Sequence, residues 1–437
     1  MGVNFNNHSS DSHVEGNTGL LIGPFRQLLT MNNLPEKGKI ADEQLEIIQD
    51  AGIITVNGLI SRIGLYSHLE DEAQQNGFGF DFLNGDYVAM PGMIDVHTHI
   101  CYGGSRAGDY AMRLSGKTYL EIASMGGGIW STVQKTRQAS NETLLHALLK
   151  RLEILLSEGI TTVEVKSGYG LNINDELRML EVIQNSDSLL PIDVVPTCLA
   201  AHMKPKDFNG TNLQYLELIV DKLLPAVKSR NLSNRVDIFI EKSAFTTDEG
   251  LFYLRKAKEI GFDVTVHADQ FTAGGSEVAC LEGALSADHL EASGEKEISI
   301  VAQSNTVAVC LPGASLGLGM QFAPARKLLD AGASVAIASD WNPGSAPMGD
   351  LLMQAAVLGA YEHLSLAETL AAITTRAAKA LNLTDRGSIS KGKLADIIAF
   401  PTHDYREILY RQGKLKPAAV WKRGKRMPLP GPLQGSV

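Results

Sequence analysis

Cysteine is scarce in this chain of 437 residues, with only four, at positions 101, 198, 280 and 310. So widely spaced, they make neither a disulfide framework nor a thiolate metal site, and they suit a reducing compartment as small buried side chains. Positive charge is also in deficit: 39 Lys and Arg stand against 49 Asp and Glu, a formal net charge of -10. That balance excludes a phosphate backbone as the main partner, so no nucleic-acid role is expected. No stretch approaches the roughly 18 consecutive apolar residues that a membrane span requires. The opening run MGVNFNNHSSDSHVEGNT has neither the basic start nor the apolar centre of a signal peptide, and Asn6 stands where a myristoylation signal carries Ser or Thr. A disordered polar tail over residues 1–18 and a cytoplasmic protein are expected, with His8 and His13 belonging to that tail. The glycine-rich run GGGIWSTV at 126–133 lacks both GxGxxG spacing and a GK[ST] ending, so it is no nucleotide cradle.

What the chain does have is alternation. From about residue 90, short β-branched runs alternate with longer segments of helical periodicity, the pattern of βα units around a parallel sheet. Strands are expected at 93–99, 161–166, 192–198, 236–241, 263–267, 284–289, 306–311 and 335–339, with helices such as 143–158, 175–184, 213–228 and 248–260 between them. Eight such units predict a closed (β/α)8 barrel over residues 91–385, with its site at the C-terminal ends of the strands. The flanks read differently. Segments 20–31, 53–64, 86–90, 387–400 and 419–427 alternate like antiparallel strands, the last with a KRGK hairpin turn. Neither flank suffices alone, so residues 19–90 and 386–427 are expected to build one small β-sandwich, followed by a loose tail at 428–437.

Five polar residues at strand ends carry the chemistry. In PGMIDVHTHICYGG, His97 and His99 are two apart on the first barrel strand and so project to one face. His267 in DVTVHADQF, His289 in LSADHLE and Asp340 in VAIASDWNPGS each follow an apolar run that would fill the barrel. Taken alone, the first pair would also suit core histidines bonded to backbone; the company of the others favours a ligand set. Imidazoles with one carboxylate suit Zn2+ or iron, and an ion of that kind lowers the pKa of a water it holds to about 7. Metal-assisted hydrolysis is the reaction class implied.

These motifs resemble the amidohydrolase superfamily. Together with GGSRAGDYAMRLSGKTYLEIASMGGGIWSTV, EVKSGYGL, AHMKP, HADQ and SDWNPGS, they closely resemble its imidazolonepropionase family, from about residue 20 to 427. The resemblance implies one Zn2+ or Fe ion on His97, His99, His267 and Asp340. It implies as substrate 4-imidazolone-5-propanoate, a cyclic amide with a carboxylate tail, hydrolysed to N-formimino-L-glutamate in histidine degradation, and a homodimer as the assembly. Arg106 matches the position that holds the substrate, where a guanidinium suits a propionate through paired charge-assisted bonds. Tyr169, His202, Asn342, Gly344 and Ser345 match further substrate contacts. Asp340 is expected to move the proton of the attacking water and His289 to stabilise the oxyanion. Some family members carry Glu where this chain has Gln270; an amide is no base, so Gln270 orients substrate or water instead. The metal ligands alone fit equally another cyclic amidase or an aminoimidazole deaminase. A deaminase of a neutral base has no use for Arg106. Lys242, beside Glu241, invites comparison with the bridging lysine of binuclear relatives, but strand alternation turns only one of the two inward and the family resembled is mononuclear, so a structural ion pair is expected.

Overall fold

The computed structural model describes residues 19–117, 121–122 and 125–428. The tail expected at 1–18 and all but the first residue of that at 428–437 lie outside the described residues, as do parts of the loop after the first barrel strand.

The chain begins with an 11-residue strand, β1 (Gly19–Leu29), followed by β2 (Ile47–Val56), β3 (Leu59–Leu65), β4 (Gly79–Phe82) and β5 (Val88–Pro91). Segment 53–64, expected as one strand, is instead a hairpin. Asn57 and Gly58 take φ of 51° and 79°, the two left-handed residues of a tight turn whose twist matches its strands. The turn signal Asn-Gly was present in the sequence and is what the alternating pattern concealed.

Eight short parallel strands follow: β6 (Met93–Asp95), β7 (Ile160–Lys166), β8 (Asp193–Ala201), β9 (Arg235–Ile240), β10 (Asp263–Ala268), β11 (Ser286–His289), β12 (Val307–Cys310) and β13 (Ser334–Ile337). Each pairs with the next in sequence order. Closure comes just beyond β6 and β13, where Asp340 N donates to His97 O at 3.0 Å and His99 N to Trp341 O at 2.9 Å. The (β/α)8 expectation is met, and the bonds that close the ring are made by the backbone of the residues that carry the chemistry.

The four helical segments expected are present at Asn141–Ser157, Ile173–Asp187, Asn212–Ser229 (with a π-turn at Ile219–Leu223) and Thr247–Ile260. The last shows why it starts and stops where it does. Thr246 and Glu249 form a reciprocal cap at its start, and Gly261, at φ 92°, turns the chain out at its end.

After the barrel come β14 (Ile397–Phe400), β15 (Ala419–Lys422) and β16 (Lys425–Arg426), with Arg423 and Gly424 making the expected hairpin turn. β14 pairs antiparallel with β5, so the two ends of the chain join in one eight-stranded sheet. β1 bends at an irregularity between Ile22 and Phe25, pairing with β4 before it and β5 after it, which folds the sheet over its own core. Alternate residues face two cores. Ala89, Ile397, Ala399 and Trp421 pack with Phe25, while Val88, Met90, Ile398, Phe400 and Val420 join the barrel core. Burial on both faces explains why β14 itself, IIAF, is apolar throughout rather than alternating. A polar latch secures the same junction: Asp193, at the start of β8, accepts from Lys422 at 2.8 Å, from Arg423 at 3.1 Å and from Arg386.

Candidate active site

The strand ends bring His97, His99, His267, His289 and Asp340 together, all buried. His97 Nε2 lies 3.2 Å from His99 Nε2, which lies 3.2 Å from His267 Nε2. Asp340 Oδ1 is 3.5 Å from His99 Nε2 and 3.7 Å from His97 Nε2. Ligand atoms of His289 group with those of His97 and His267, and those of His97 and His99 group with Asp340, each set within 4.8 Å. Backbone strain sits here too, with Asp340 at φ 48° and His289 at φ 88° in the left-handed region.

Two of the imidazoles are oriented from below. His97 Nδ1 faces Asp288 Oδ2 at 2.6 Å, and His267 Nδ1 lies 2.9 Å from Asp237 Oδ2. These carboxylates place the ring proton on Nδ1 and leave the Nε2 lone pairs aimed at the centre. His99 Nε2 has one in-plane position: protonated, it can donate to only one of the two facing lone pairs, and unprotonated it meets both with a lone pair of its own, a crowding that a cation between the rings relieves. Burial, with Lys166 and neighbouring imidazoles, holds His97 and His99 well below the usual histidine range. Burial also brings His267 to about 3 and His202 to about 4. Neutral imidazoles of this kind are the form that binds a metal ion.

Beneath them is a layer that sequence reasoning missed. The Lys166 ammonium is fully buried, 2.7 Å from Glu164 Oε1, 2.8 Å from Asp237 Oδ2 and 3.9 Å from Asp288 Oδ2. Burial works against the charge on Asp237, but His267 and Lys166 outweigh it and hold that carboxyl well below its ordinary range. At Asp288 burial wins, raising it to about 7. The signal available was EVK at the end of the second strand, a charged residue two after another on an inward face.

The remaining expected residues fall around this centre. Tyr169 and His202 are buried beside His99, with ring centroids 6.1 and 5.5 Å away. The SGYGL loop that carries Tyr169 wraps the buried Glu176 carboxylate, whose Oε1 accepts from Gly170 N and Leu171 N at 2.8 Å each. Arg106 donates from Nε to Asp109 Oδ2 at 2.8 Å. Its Nη1 would lie 2.3 Å from a Cβ at position 344, so the guanidinium occupies space that only glycine leaves open there. Asn342 spends its amide inside the loop: Oδ1 accepts from Gly344 N and Ser345 N, and Nδ2 donates to Asp340 O and Ser345 Oγ. All four of its hydrogen-bonding positions are filled, so its side chain shapes the loop. Gln270 is buried just after β10. Lys242 is exposed and makes no ion pair among the described residues, so the expected structural pair is not formed; only its backbone N–H meets Glu241, at Oε1. Glu241 instead caps the 270–272 loop, accepting from Phe271 N and Thr272 N at 3.0 Å.

Buried histidines and a carboxylate at the C-terminal mouth of a closed parallel barrel define the class of the barrel hydrolases. The amidohydrolase family model matches residues 88–427. An imidazolonepropionase from Bdellovibrio bacteriovorus is 39% identical over 94% of this chain and 96% of its own, and one from Bacillus cytotoxicus is 38% identical over 93% and 96%. Among solved structures, a mutant of atrazine chlorohydrolase from Arthrobacter aurescens, complexed with zinc and atraton, superposes with a TM-score of 0.72 at 16% identity, over 93% of this chain and 94% of its own. An adenosine deaminase from Xanthomonas campestris with bound zinc gives 0.65 at 18%, over 94% and 92%. At that identity the structures speak for the fold alone. The chain belongs to the amidohydrolase family and, within it, to the imidazolonepropionases.

Proposed function

We propose that the chain hydrolyses the cyclic amide C–N bond of 4-imidazolone-5-propanoate to give N-formimino-L-glutamate, a step of histidine degradation. The observation that carries this reading is the 39% identity to an imidazolonepropionase over 94% of the chain. We read His97, His99, His267 and Asp340 as holding one Zn2+ or Fe ion, on the crowding of their unprotonated nitrogens. Such an ion, when bound, supplies Lewis acidity and a water that is nucleophilic at neutral pH.

The protein's own groups do the rest. Burial pushes Asp340 up to about 6, against the pull of His289 and Asn342, so its carboxylate can take a proton near neutrality and return it to the departing ring nitrogen. Burial opposes charge on His289, but Glu291, 3.5 Å from its Nδ1, outweighs it and raises the imidazole. A protonated His289 donates to the carbonyl oxygen as negative charge develops there. Arg106 takes the propionate; Tyr169 and His202 wall the ring, and Gln270 orients substrate or water by hydrogen bonds. Gly344 and Ser345, held by Asn342, keep open the place in which Arg106 lies. Aminoimidazole deamination gives Arg106 nothing to bind.

We further read two units, 19–90 with 386–427, and 91–385. A cytoplasmic location rests on the free cysteines, and pairing of two copies on the family alone.

The test is loss of the ultraviolet absorbance of freshly prepared 4-imidazolone-5-propanoate, with metal content measured on the same sample. Turnover at or above roughly 1 s⁻¹, abolished by chelation and by Asp340→Asn, is expected. No turnover with one ion per chain would redirect the assignment to another cyclic amide with an acidic tail.

A further inference from the structure

At the end of the barrel opposite the histidines, a cavity of about 330 Å³ lies between the loop after β1 and the segment 375–393. Its position follows from Arg386, which reaches Thr162 and Asp193 at the entry ends of β7 and β8. The histidines, by contrast, follow the exit ends of their strands. Four cationic side chains, Arg376, Lys379, Arg386 and Lys393, line the cavity against a single acid, Glu36.

Two of these cations are already spent. Lys379 donates to Glu36 at 2.8 Å, and Arg386 pairs with Asp193 and Asp385. The other two are not. Arg376, 1% exposed, gives Nη2 to the carbonyls of Pro35 and Gly38, while its Nε and Nη1 are buried with no partner. Lys393 Nζ reaches the carbonyl of Arg386 at 3.4 Å. Ser388, 3% exposed, has its hydroxyl buried and unpartnered on the same wall. Buried charged donors left unmet are costly, and a cavity of this size leaves room for what would meet them.

We propose that this cavity binds a small oxyanion, a phosphate or carboxylate group, on Arg376, Ser388 and Lys393. A guanidinium with free N–H groups, an ammonium and a hydroxyl are the donor set that oxyanions take. The site is separate from the ring-opening centre, which uses none of these residues.

The experiment is thermal denaturation and calorimetric titration of the full chain with inorganic phosphate or glutarate, at constant ionic strength in a chloride background. A saturable rise in Tm with either anion is expected, together with a Kd at least tenfold weaker in both Ser388→Ala and Lys393→Gln. Ring opening by those variants in anion-free buffer should stay within twofold of the parent. Response to phosphate alone assigns a phosphate-bearing ligand, and response to glutarate alone a carboxylate. Arg376→Gln adds a third reading if circular dichroism shows it folded; the other two variants decide the matter if it is not. No saturable rise with either anion, or a rise that Ser388→Ala and Lys393→Gln retain, would overturn the proposal.

Discussion

Lys166→Met offers the sharpest test of how the site is built. Methionine keeps most of the volume of the lysine stem, so the change removes charge rather than packing. In the native protein one ammonium serves Glu164, Asp237 and Asp288, with the first two at 2.7 and 2.8 Å and all three carboxylates buried. Without it three buried acids lose the ammonium that all of them face. Breaking a buried pair in this way costs about 3–5 kcal/mol, well above the roughly 1 kcal/mol of a surface pair. Urea unfolding at pH 7 in the presence of a chelator measures that loss free of any bound ion. The pH dependence carries a sign as well. Asp237 is held below its unfolded value, so its contribution is present above about pH 4 and is lost as pH falls through the native value. The gap between parent and variant should therefore be widest near neutrality and shrink towards pH 3. Because Asp237 and Asp288 orient His267 and His97, metal affinity should also fall by about 10–100-fold. A loss below about 1 kcal/mol at pH 7, constant with pH, would refute the view that Lys166 neutralises this layer.

Three other substitutions probe separate parts of the structure. Gly344→Ala places a methyl 2.3 Å from Arg106 Nη1, so KM for the acid-tailed substrate should rise by about tenfold or more with Tm little changed, as steady-state kinetics and a thermal melt would show. Glu176→Ala strips the SGYGL loop of the carboxylate that accepts from Gly170 N and Leu171 N, and should cost about 2–3 kcal/mol by urea unfolding, together with activity through Tyr169. Asp193→Asn loosens the latch to Arg386, Lys422 and Arg423 and should cost about 2 kcal/mol at pH 7. Burial raises Asp193, but its cations outweigh that and lower it, so the cost should be full above about pH 4 and decline as pH falls towards the native value; a difference that did not shrink with falling pH would count against the latch.

Much of this was legible in the sequence because each βα unit records itself locally. A β-branched run that ends in a polar residue, followed by a helical period, needs no distant partner to be recognised. β6 ends at Asp95, short of the expected 93–99, and His97 and His99 flank the Thr98–Trp341 bridge beyond it, where the two-residue spacing still brings their rings together. The Asn57–Gly58 turn was equally local, but was hidden by regarding the alternation around it as one strand.

The rest depended on what a closed ring of strands brings together. Lys166, Glu164, Asp237 and Asp288 come from β7, β9 and β11, and only closure of the barrel makes them one neutralising layer. Whether a polar side chain is free or spent is decided the same way. Asn342 has every hydrogen-bonding position filled by its own loop, while Arg376 has two N–H groups buried and unmet. The amino-acid sequence determined the barrel, the candidate ligand set and the family, because these are written in local pattern and residue type. The tertiary structure alone decided which charges are compensated and which donors remain open, because hydrogen-bond saturation and electrostatic neutrality belong to neighbours in space.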